Sequence, residues 1–141
     1  MNSLGLLRFH EERYDMVRPG LILYGLPPDI GVDEIDKLEE KFKPIGSLRC
    51  KVTTVKTIEK GEKVGYGSKY IADEKQKIAT ISIGFVDGFP SATYKNKFSV
   101  YIKGNLCPIA GKVCMGCTMV RVPMESDIKE GDIVTIFGYD E

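Results

Sequence analysis

The sequence predicts a mainly β fold, a Greek-key-like barrel or sandwich of short strands preceded by a segment of different character. Three observations carry this. From Leu48 onward, runs rich in valine, isoleucine and threonine recur at short intervals. Turn clusters separate them: Lys60-Gly61, Asp87-Gly88, Lys103-Gly104-Asn105 and Lys129-Glu130-Gly131-Asp132. The first thirty residues show neither the alternation nor the spacing.

Taken in order, residues 1–30 open with a polar start and a short helical stretch, then break at Arg18-Pro19-Gly20. The following "LILYG" is a compact apolar run of the kind buried in a parallel sheet, so a strand is expected over 21–25. No strands precede it to pair with, so the chain is expected to start inside a larger fold. "GVDEIDKLEEKFKP" reads as an amphipathic helix. Val32, Ile35, Leu38 and Phe42 recur at spacings of three and four, acidic residues lead, and Pro44 stops it. It is expected to be a solvated connection between domains, within 31–47. The strand candidates are then "LRCKVTTVKTI", "KIATISIGF", "FSVYI", "CPIAGKVCM", "CTMVRV" and "DIVTIFG".

Composition narrows the function classes. Basic and acidic residues balance at 20 each, so the field expected of a nucleic-acid binder is missing. No segment has the length and polarity of a membrane span, and Met1 to Leu7 lacks the pattern of a signal peptide. A cytoplasmic protein is expected. Of the four cysteines, Cys114 and Cys117 have Cys-x-x-Cys spacing, which suits a redox or zinc site. Zinc usually takes two close pairs of ligands and only one exists here. Strand cysteines packed as small apolar groups are the favoured reading, and no metal is expected.

Tyr66 raises a sharper question, because a turn has no need of a tyrosine between two glycines. By itself it reads as an aromatic plug. Its neighbours in sequence change that. "NSLG…DMVRPGLILYG", "KVGYGSKY", "ISIGFVDGFP" and "PIAGKVCMGCTMV" occur in this order, and together they resemble the alanine racemase family. These are pyridoxal-phosphate enzymes that interconvert L- and D-alanine, in which a (β/α)8 barrel precedes a β-rich C-terminal domain. The resemblance implies that residues 1–30 are the end of a truncated cofactor-binding barrel and that 31–47 connect. Residues 48–141 are then the C-terminal β-domain, itself truncated at its end. It also implies a cytoplasmic homodimer serving D-alanine biosynthesis, with small amino acids as substrate.

The resemblance assigns roles. Ser3, after Asn2, would donate its hydroxyl to the cofactor phosphate, and Gly20 and Leu21 would offer backbone N–H groups to it. Arg18 would face the pyridine nitrogen; a guanidinium keeps its proton, so the ring would stay unprotonated. Read alone, Arg18 is a loop residue paired with Asp15 or Glu12. Tyr66 would be one of two catalytic bases, reaching over the cofactor of the partner subunit. Met115 would meet the substrate carboxylate through its backbone N–H; read alone, it is strand packing.

Three positions depart from the family pattern. Phe85 stands where a tyrosine is usual, Ser91 lies where an arginine is usual, and Gly116 replaces an aspartate. No lysine matches the family's Schiff-base lysine, and the only histidine, His10, is not at the position of the family's barrel histidine. The fragment alone is therefore expected to be inactive. Two alternatives follow: a racemase for another small amino acid such as serine, or a non-catalytic β-domain that dimerises.

Overall fold

The computed structural model describes residues 1–9, 11–12, 14–26, 42–94 and 98–138. The helix expected over 31–44 falls almost wholly outside them, as does His10. The chain divides into two compact units, Met1–Ser47 and Leu48–Glu141.

In the first unit, α1 covers Ser3–Arg8, with the Asn2 side chain accepting from the Gly5 amide at 3.0 Å. This is the ordinary N-cap use of an asparagine. The strand expected over 21–25 does not form. Leu21–Tyr24 is a 3-10 turn, closed by Gly25 in the left-handed region at φ 70°. Leu23 donates to Gly20, Gly25 to Ile22 and Leu26 to Leu21, the local bonds of a turn in place of a ladder, while the Tyr24 carbonyl accepts from Ile45. A buried parallel strand needs a ladder partner, and the first unit holds no strand among its described residues.

Among its described residues the second unit carries eight strands: β1 Leu48–Ile58, β2 Lys63–Val64, β3 Tyr70–Ile71, β4 Gln76–Ile81, β5 Ser99–Ile102, β6 Asn105–Pro108, β7 Thr118–Val122 and β8 Ile133–Phe137. Six form one antiparallel sheet in the order β6-β5-β8-β1-β4-β7. β1 pairs with β8 through its first half and with β4 through its second, with register shifts on both sides. Such irregularities bend a strand. The ends of the order meet where Ile109 bridges Val120 and the Ala110 amide donates to the Met119 carbonyl at 2.8 Å. The sheet is thus a nearly closed barrel, and the mainly β fold expected from the sequence is what forms.

The barrel interior is filled by Val52, Ala79, Ile81, Val100, Ile102, Val120 and Val134, among others. A second, smaller core lies on the other side of β4 and β7, where Ile78 and Met119 pack with Val64 and Ala110. Period-two alternation therefore buries neighbouring residues on opposite faces, Ile78 in the second core and Ala79 in the barrel. The lid on the second core is the β2–β3 hairpin, which strand reasoning missed because each strand is two residues long. Two expected strands are shorter than anticipated. "KIATISIGF" leaves the sheet after Ile81, and Phe85–Asp87 forms a 3-10 turn. "CPIAGKVCM" keeps only its first residues in β6, and Gly111, at φ 91°, starts an irregular loop.

Cys107 has no exposed surface, and burial pushes its thiol up from an ordinary 9.0 to about 11. A folded-state value above the unfolded one stabilises the fold fully below pH 9 and progressively less towards pH 11. Unfolding free energy in urea should therefore fall across that interval. Cys107 should react with a thiol reagent only after denaturation; its labelling in the folded chain at neutral pH would contradict this packing.

Candidate active site

The turn that carries Tyr66 is built from residues few side chains could replace. Gly65 has φ 74° and ψ −179°, a region open essentially to glycine alone. A Cβ there would also stand 2.6 Å from Met119 Cε. Gly67 and Ser68 follow at φ 73° and 50°. The result is an aromatic ring held away from its own hairpin: Tyr66 is 80% exposed. Tyr70, the second tyrosine of the stretch, does structural work. Its hydroxyl donates to Gln76 Oε1, and Gln76 in turn donates to Asp73. That network ties the far end of the turn to β4.

A second turn faces the first. After β4, Gly84 receives the loop 114–115 at very short range: a Cβ at Gly84 would lie 2.2 Å from the Met115 carbonyl oxygen and 2.5 Å from that of Cys114. The Phe85 amide donates to the Cys114 carbonyl at 3.0 Å and the Val86 amide to the Met115 carbonyl at 3.1 Å. Asp87 closes the turn, its carboxylate accepting from the Gly84 amide at 2.9 Å. Phe89 is buried and meets Phe98 edge to face at 5.8 Å, anchoring the turn to the core. From beneath, the buried Thr118 hydroxyl donates to the Ile83 carbonyl at 2.7 Å.

These turns enclose a cavity of about 300 Å³ lined by Tyr66, Phe85, Lys112, Val113, Cys114 and Met115. Three of the stretches singled out in the sequence therefore converge on one place. Phe85 and Met115 remain 50% and 64% exposed at its edge. Of the departures from the family pattern, only Phe85 lines the cavity; Ser91 opens a separate 3-10 turn and Gly116 is not a lining residue. Sequence reasoning missed Lys112, which lines the same cavity as Tyr66. Its signal was a lone basic residue ahead of the apolar Val113-Cys114.

The first unit gathers its own candidates. Ser3 is buried at the start of α1, and its Oγ accepts from the Gly20 amide at 2.8 Å. The Gly20 N–H, expected to point at a phosphate, is thus directed to Ser3. Leu21 begins the 3-10 turn immediately after. The Arg18 amide donates to the Met1 carbonyl at 2.7 Å, while its side chain is exposed. Among the described residues Arg18 makes no ion pair with Asp15 or Glu12.

A mainly β barrel with a glycine-held tyrosine at an apolar cavity defines a class of domain, and comparison identifies it. Residues 45–141 match the family model for the alanine racemase C-terminal domain. Alanine racemase of Desulforamulus reducens is 37% identical over 137 residues, covering 97% of this chain and 36% of the relative. That of Symbiobacterium thermophilum is 38% identical over 137 residues, covering 97% and 35%. The solved alanine racemase of Clostridium difficile 630 in complex with cycloserine superposes with a TM-score of 0.87 at 38% identity, over 99% of this chain and 36% of that one. The chain belongs to the alanine racemase family, and it spans about a third of the length of the relatives it matches.

Because a backbone carbonyl occupies the space beside Gly84, Gly84→Ala should lower the unfolding free energy in urea by about 2 kcal/mol. Gly116→Ala, with nothing within 4 Å of the added carbon, should change it by less than about 0.5 kcal/mol. Equal effects at the two positions would show that the loop does not sit on Gly84.

Proposed function

We propose that this chain is the C-terminal portion of a pyridoxal-phosphate-dependent alanine racemase, and that Tyr66 is the base on one face of the bound amino acid. The supporting observation is the way Tyr66 is presented. A phenol that served only as a plug would be buried, whereas this one stands exposed on three left-handed residues beside a cavity containing Lys112. Holding such a turn in sparsely populated backbone regions costs about 1–3 kcal/mol per strained residue, as at Ser68, a cost typical of functional sites.

The residues of the first unit fit a phosphate-bearing cofactor. Ser3 Oγ accepts the Gly20 amide, which leaves its own O–H to donate to an anionic oxygen. Leu21 would add its backbone N–H, and Arg18 would set a permanent cation near the ring nitrogen. Pyridoxal phosphate, when bound, supplies the electron sink that makes an α-proton of an amino acid removable. Tyr66 would then take or return that proton through its phenolic oxygen. Met115 would orient the substrate carboxylate with its N–H, whose loop is held in place by the Gly84 turn. The apolar lining from Phe85, Val113 and Met115 favours a methyl side chain over a hydroxymethyl one, and so alanine over serine.

The exposed Tyr66, Phe85, Val86 and Met115 form an apolar rim suited to a second subunit, which agrees with a homodimer sharing its sites. Among the described residues no helix is long and apolar enough to cross a membrane. A cytoplasmic enzyme is the setting that goes with this reading.

The test is a chimera joining this chain to the remainder of the Clostridium difficile enzyme, assayed for L- to D-alanine conversion with pyridoxal phosphate present. Activity is expected, and Tyr66→Phe should lower kcat at least about 100-fold. Tyr70→Phe, which alters only the structural network, should leave kcat within about threefold. A folded chimera whose rate ignores Tyr66→Phe would refute the assignment of the base.

A further inference from the structure

The Cys114-Met115-Gly116-Cys117 loop has a property that the proposed reaction does not use. The Cys114 amide donates to the Cys117 carbonyl at 2.9 Å. That bond makes the two cysteines the facing residues across a two-residue reversal, with Met115 and Gly116 at its tip. A four-residue reversal of this kind brings its end Cα atoms within about 7 Å. Disulfides form at Cα separations of about 4.4–6.8 Å, a range that a reversal of this span can meet. The two thiols are close enough for Cys114 to help raise that of Cys117, and Cys114 Sγ itself donates to the Lys112 carbonyl at 3.7 Å. Cys114 and Cys117 are half-buried, as is Cys50 on β1, whereas Cys107 is enclosed. Gly116, with nothing within 4 Å of its Cα substituent position, leaves the tip free to adjust.

We propose that Cys114 and Cys117 are a modification site, a dithiol that closes reversibly to an intraloop disulfide by exchange with small-molecule disulfides such as oxidised glutathione. Cys114 lines the open cavity and is the first to meet the reagent, whose disulfide it attacks. Its thiolate displaces one glutathione thiolate and forms a mixed disulfide. The Cys117 thiolate then attacks the Cys114 sulfur and releases the second. Two electrons pass from the protein sulfurs to glutathione, and the two thiol protons go to solvent or to the leaving thiolates. Burial, with the neighbouring Cys114 adding to it, raises the Cys117 thiol above its ordinary range, so the closing step should quicken as pH rises. The inference rests on loop geometry and not on the racemase reading.

The experiment equilibrates the full chain in glutathione redox buffers, folded and in urea, then quenches, digests with trypsin and weighs the Val113–Arg121 peptide, which holds both cysteines. In the folded chain this peptide should be lighter by two hydrogens and return to its reduced mass with dithiothreitol. The ratio of disulfide to dithiol should be at least about tenfold higher folded than in urea, because the fold holds the sulfurs together in advance. Cys114→Ser and Cys117→Ser should each abolish the change and accumulate the glutathione adduct on the remaining thiol. A ratio no higher in the folded chain, a stable glutathione adduct in place of the disulfide, or a bridge to Cys50 would each overturn the proposal.

Discussion

The contact on which the candidate site depends is the seating of the Cys114-Met115 backbone on Gly84. Two carbonyls approach a position where no side chain fits, and two consecutive amides, those of Phe85 and Val86, donate to them. Without the glycine the loop would stand off by the width of a methyl group, and Phe85 and Met115 would no longer share a cavity with Tyr66. The hydrogen bonds alone contribute roughly 1 kcal/mol each, so it is the close approach, not their number, that sets the geometry.

That contact is in turn positioned by the barrel. β4 and β7 lie side by side in register from Lys77 opposite Val122 to Ile81 opposite Thr118. The chain leaving β4 and the chain entering β7 therefore emerge together at one end of the sheet, and both the Gly84 turn and the 114–117 loop are found there. The same strands carry the second core on their other face, and the β2–β3 hairpin that covers it delivers Tyr66 from the side. Met119 serves both ends of this arrangement: it packs in the second core and its methyl group lies against Gly65. Packing on one face of a strand pair thus fixes the turn that presents the phenol.

Much of this was legible in the sequence. The β periodicity from Leu48 onward, the glycine-flanked tyrosine and the order of the motifs all point to the barrel, and Tyr66 and Met115 do meet at one cavity. What was not legible had physical reasons. "LILYG" looks like a strand because apolar runs do not reveal whether a partner exists; here the backbone closes its bonds locally and much of the run is exposed. The β2–β3 hairpin is too short to show a period. Lys112 is one lysine among many until the fold brings it beside Tyr66, and Gly84 looks like any strand-end glycine until its neighbour across the turn is known. Positions like these are defined by long-range contacts, which local pattern does not encode.

The most direct test of the central contact is amide hydrogen exchange at Phe85 and Val86 in the native chain. Both lie in a turn with exposed side chains, so exchange would be fast if the turn were free. Seated on the Cys114 and Met115 carbonyls, both amides should be protected to a degree approaching that of β4, and should lose protection together. Fast exchange at the two amides while β4 and β7 stay protected would contradict the account, because the cavity would then have no fixed wall opposite Tyr66.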